Sequence, residues 1–157
     1  MIAYHGKQEI KDKYVARMKA HVEADELVRG TGFQNGHGCA VGCTLNRYDH
    51  SCFETELGMP VWIAHLLDTL HENTSDDIWP TFSLRFLKAV EPGAELEPVR
   101  NKINLFILTR NRERVAALGE LSGEVKGAVI AAIDQVIALR IEELGGVVDP
   151  AAWSAAR

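Results

Sequence analysis

Apolar side chains recur at three- and four-residue steps through most of this chain, and no useful stretch alternates apolar with polar. The first period belongs to helices and the second to strands. No strand–helix–strand rhythm is visible either. The pattern predicts an all-α fold, a single-domain bundle of six to eight helices over residues 1–157. A chain of 157 residues can bury such a core without disulfide or metal staples.

The first helix is expected from about Lys7 to Arg29. Its stripe is Ile10, Tyr14, Val15, Met18, Val22 and Val28, and Gly30-Thr31-Gly32 ends it. Residues 31–58 read as loop and short helices, with two helical turns over Cys39–Leu45. Ser51 and Glu54 match a capping box that opens a short helix stopping at Gly58. Pro60 suits the first turn of the next helix, to about Glu72, burying Trp62, Ile63, Leu66, Leu67 and Leu70.

Another helix is expected from Asp76 to near Val90. Pro98 opens one through Leu118, although Ile103–Leu108 also fits a short buried strand. Ser122 caps the most apolar helix, which runs to Leu144. Apolar side chains cover more than one of its faces, so it is either central in the core or a homodimer interface. Gly145-Gly146 ends it, and Asp149-Pro150 opens a last short helix with Trp153.

Charge narrows the choice of partner. The chain carries −5 overall, and no lysine lies between Lys19 and Lys88. Residues 20–87 hold ten Asp and Glu against three Arg. Phosphate contacts need Lys and Arg, so this acidic middle argues against nucleic acid. It suits a cation or a basic partner. Arg100, Lys102, Arg110, Arg112 and Arg114 are the one basic concentration, and a solvated helix end explains them. No apolar run is long enough to cross a bilayer. The first ten residues have no apolar leader region or cleavage site, which predicts a cytoplasmic protein.

All three cysteines fall between Cys39 and Cys52, together with His50 and close after His37. Three thiols so closely spaced suit free thiols or ligands better than a disulfide framework. Three readings follow. His37, Cys39, Cys43 and His50 are candidate metal ligands, with zinc the ion such side chains suit. Cys39 and His50 are candidate catalytic residues, the thiol in the first turn of a helix capped near Asn35 and the imidazole as base. The third reading is packing, and it carries the most weight. Free cysteine often packs as a small hydrophobe, and Cys39-Ala-Val-Gly-Cys43 is small and apolar throughout. Gly42 would then allow a close crossing. His65 and His71 are about 120° apart on their helix and do not serve one ion together.

The run Gly36-His-Gly-Cys39-Ala-Val-Gly-Cys43-Thr-Leu45, followed by Tyr48-Asp-His50 and Glu56-Leu-Gly58-Met-Pro60, resembles a family of small uncharacterised bacterial proteins. The resemblance spans roughly residues 4–90 and is specific within 36–60. It implies no activity, so no functional residue is carried over.

The expectation is an accessory or binding protein with a small Cys/His pocket in residues 31–58, taking a metal ion, a small molecule or a protein partner. The alternative is a thiol-dependent enzyme using Cys39 and His50 on a small substrate. In a third view the segment is a purely structural interaction module.

Overall fold

A computed structural model describes residues 1–145. The fold is all-α, 66% helical, with a single two-stranded sheet among the described residues. The expected last helix near Asp149-Pro150 and Trp153 lies outside the described residues, as does Gly146. The chain falls into two compact units, Met1–Glu97 and the segment from Pro98 on.

The first unit starts with a left-handed turn at Tyr4 and His5 (φ 53° and 51°). That conformation is costly for residues with a Cβ. Tertiary contacts hold it: Tyr4 is fully buried and its hydroxyl donates to the Leu87 carbonyl at 2.6 Å. Helix α1 (Gln8–Glu23) buries Tyr14 and Met18, as its stripe predicts. It stops six residues before Arg29. Asp25 takes a left-handed turn (φ 57°), and the chain leaves to pair Leu27 with Gly38. The Gly30 to Gly32 stretch is therefore loop, not a helix cap.

A tight hairpin follows, β1 (Phe33–Gln34) and β2 (His37–Gly38). Asn35 and Gly36 form its turn with φ 52° and 84°, the positive values that a two-residue hairpin needs. Helix α2 (Ala40–Leu45) comes next, and all six of its residues are buried. Gly42 allows this: a Cβ there would lie 1.9 Å from the Gly32 carbonyl oxygen. The close approach is to a loop backbone.

Helix α3 (Cys52–Leu57) ends at Gly58 with φ 63°, as expected. The capping box does not form. Ser51 is already helical and its hydroxyl donates to Asp49 Oδ1 at 2.6 Å, while Glu54 Oε1 accepts from the Val61 N–H at 3.3 Å. Asp49 outcompetes the sequence-adjacent pairing because it also accepts the Ser51 N–H at 3.0 Å. Helix α4 (Val61–Asn73) buries Ile63, Ala64, Leu67 and His71. Helix α5 (Trp79–Ala89) packs on α1 and α4. Backbone bonds between Ala3, Gly93 and Ala94 close the unit on itself.

The second unit holds α6 (Val99–Ala117) and α7 (Gly123–Glu143), packed together. Ile103–Leu108 is helix, not strand. The Ser122 hydroxyl accepts from the Val125 N–H at 3.4 Å, as the cap predicts. No residue of α7 is fully buried, so it is not a central core helix.

Candidate functional site

The sequence points to one segment, and the fold scatters most of it. His37 sits on the exposed hairpin turn, its Nδ1 donating to the Asn35 carbonyl at 3.1 Å. Cys43 is buried and its thiol faces the Gly38 carbonyl at 3.3 Å. Burial pushes that thiol up to about 11. Cys52 is half-buried and donates to Asp49 Oδ2 at 3.2 Å. Cys39 is the N-cap residue of α2, not a member of its first turn. Among the described residues no three His, Cys, Asp or Glu side chains are grouped to hold one metal ion.

Cys39 and His50 do approach one feature, through a residue the sequence reading passed over. Asp68, on α4, is the link. His50 Nε2 lies 3.3 Å from Asp68 Oδ2, and the Tyr48 hydroxyl donates to the same oxygen at 3.1 Å. The His50 ring stacks on His65 at 4.3 Å and meets the Tyr48 ring edge-on at 4.9 Å. His65 is thus an exposed stacking partner. His71 points elsewhere, donating to the Val28 carbonyl at 3.1 Å.

Asp68 is held with its side chain 15% exposed. Its second oxygen, Oδ1, is buried and makes no ordinary hydrogen bond. The Cys39 thiol also stands beside this carboxylate, and a thiol is a weak donor. Burial pushes Cys39 up to about 12, and Asp68 adds to the effect; the Gly42 and Val41 N–H groups oppose it. The thiol is protonated at neutral pH.

These groups line a cleft of about 380 Å³ bounded by Gly30, Thr31, Gly32, Cys39, Tyr48, Asp68 and Glu72. Asp68 and Glu72 are one helical turn apart and share a face of α4. Glu72 is engaged, both its oxygens accepting the Gly30 N–H, at 3.1 and 2.9 Å. That bond pins the loop wall to the helix wall. No lysine or arginine lines the cleft. The nearby Arg29 is taken up by Asp76 and by the His71 and Thr74 carbonyls.

The signal that marks Asp68 is its company. It is the lone acid within the mostly apolar run Val61-Trp-Ile-Ala-His-Leu-Leu-Asp68-Thr-Leu70. A carboxylate there must find partners.

Comparison with protein-family models, with curated proteins and with solved structures finds no match for this chain. No helix among the described residues is long and apolar enough to cross a membrane.

Proposed function

We propose that the cleft between the Gly30–Gly32 loop and α4 binds a small molecule through a cationic or N–H donor group. The observation that carries this is Asp68 Oδ1, a buried acceptor with no ordinary partner, at a cleft without basic residues. An under-satisfied buried carboxylate oxygen is costly, and a ligand donor would complete it. The volume is at the small end of ligand pockets. This reading makes the protein a binding or accessory protein. Metal binding within it would draw on the Cys39, Asp68 and Glu72 side chains that line the cleft.

Thermal unfolding in the presence of agmatine, putrescine or tyramine, with zinc as a separate arm, tests the reading. A saturable rise in Tm with one of the amines, lost in Asp68→Asn, is the expected result. No rise with any of them, or an equal rise in Asp68→Asn, would overturn it.

A second reading, a thiol-dependent enzyme, rests on the Asp68 carboxylate being placed to take the Cys39 proton, and it has to overcome the burial and negative charge that hold this thiol protonated. Asp68 would take the Sγ proton, with His50 and Tyr48 holding the carboxylate. His50 reaches the thiol only through Asp68, so it acts as a positioning residue here. Mass spectrometry of the protein treated with an activated acyl ester separates the readings: a Cys39 adduct formed and then hydrolysed supports the enzyme.

A further inference from the structure

The two oxygens of Asp68 have different surroundings. Oδ2 has His50 Nε2 at 3.3 Å and the Tyr48 hydroxyl at 3.1 Å. Oδ1 has no ordinary partner, and the residue lines the cleft. Imidazole is the side chain whose charge ordinarily changes between about pH 5 and 8. The His50 side chain is only 17% exposed, so solvent screens a charge on it poorly. An imidazolium at that distance would neutralise much of the Asp68 charge.

His65 limits how many protons enter. Its ring lies on the His50 ring at 4.3 Å, with 13° between the planes. Two imidazolium rings so close repel, so the stack takes one proton well before a second. Of the two rings, His50 is the one placed against Asp68.

The other groups around His50 keep their charge through that pH range. The Tyr48 phenol is raised by burial and by Asp68, and the Cys39 thiol is raised to about 12, so both stay neutral. Asp49, next to His50 in the loop, is held below the usual carboxylate range by the Ser51 hydroxyl and the Cys52 thiol. Arg47 on the same loop pairs with Glu56. Glu72, one turn along α4 from Asp68, accepts the Gly30 N–H.

We propose that the cleft takes a protonated amine in exchange for a proton: the amine binds at Asp68 while His50 is neutral, and charging His50 drives it out. This rests on the cleft binding a cationic group, and it adds the control over that binding. The proton passes from the imidazole to solvent, and no covalent bond to carbon or sulfur changes. Linkage makes the effect reciprocal. The free protein holds more protons than the complex, so affinity rises with pH across the imidazole range and levels off above it.

Isothermal titration calorimetry of the full chain with tyramine, agmatine and putrescine tests this. Each amine is titrated at about pH 5.5 and about pH 8, in phosphate and again in Tris to count protons. Binding should be at least about fivefold weaker at the lower pH, the low end of the usual range for coupled sites, with net proton release at intermediate pH. His50→Gln should flatten the pH dependence and abolish the proton release, whatever its affinity. His65→Gln, which spares the contact with Asp68, should keep both. Equal affinity at the two pH values overturns the exchange and leaves amine binding standing. So does a pH dependence that survives in His50→Gln. If His50→Gln does not fold, the proton count of the parent decides, and a count of zero overturns the exchange. Absence of binding by all three amines at both pH values removes the binding reading itself, and the exchange with it.

Discussion

The His50 imidazole meets Asp68 Oδ2 at 3.3 Å, across the gap between the loop after α2 and the middle of α4. The Tyr48 hydroxyl donates to the same oxygen, so one carboxylate oxygen faces both rings. The Cys39 thiol also interacts with this carboxylate. Removing the negative charge with Asp68→Asn therefore relieves part of what keeps Cys39 protonated. Burial, the larger cause, stays. The expected outcome is faster alkylation of Cys39 at pH 9 in Asp68→Asn than in the parent, read by mass spectrometry of the Cys39 peptide. Equal rates would mean that the carboxylate does not act on the thiol.

The two buried thiols also set a pH dependence of stability. Cys39 is raised to about 12 and Cys43 to about 11 from an ordinary value near 9. Between those values the unfolded chain has lost protons that the folded chain keeps. Stability is therefore full below pH 9 and falls as pH rises from 9 toward 11 and 12. Urea unfolding at pH 8 and pH 10 measures this. The fall should shrink in Cys39→Ala and again in Cys39→Ala/Cys43→Ala.

Gly42 is the tightest point of the junction around α2. A Cβ there would stand 1.9 Å from the Gly32 carbonyl oxygen, against loop backbone rather than a flexible side chain. Gly42→Ala removes a helix glycine, which by itself would favour the helix by roughly 1 kcal/mol. The clash outweighs that gain, because overpacking costs about 1–3 kcal/mol and occasionally more. Net destabilisation is the expected outcome in urea unfolding. A more stable Gly42→Ala would show that the loop yields at no cost.

Helix existence was legible in the sequence because burial follows period 3.6 in α1, α4 and α6. Boundaries were legible where a glycine takes positive φ, as at Gly58, or where serine caps, as at Ser122. Two errors share one cause. At Arg29 and at Ser51, local periodicity and local capping chemistry lost to contacts from elsewhere, the Leu27–Gly38 pairing and the Asp49 carboxylate. The Gln34-Asn35-Gly36-His37 hairpin was readable, since Asn-Gly is a strong turn signal. The cleft was half legible. Cys39 and His50 lie in the cysteine-rich segment, but Asp68 is 18 residues beyond His50 in chain order, and only the folding of α4 against α2 brings it near.

Phe53 reports how much of the first unit depends on α3. Its ring is fully buried, on a helix of only six residues that cannot hold itself together alone. The helix persists because Phe53 and Leu57, one turn apart, both enter the core shared with α4. Phe53→Ala removes a fully buried ring from this core, at a cost of about 3–5 kcal/mol. Losing α3 would also release His50 and the Tyr48 side chain from their positions around Asp68. Thermal unfolding should show the drop in Tm, and the His50 imidazole resonances should move toward those of a solvent-exposed ring. A Tm drop with the His50 resonances unmoved would show that the cleft is held by α4 and the Gly30–Gly32 loop without α3.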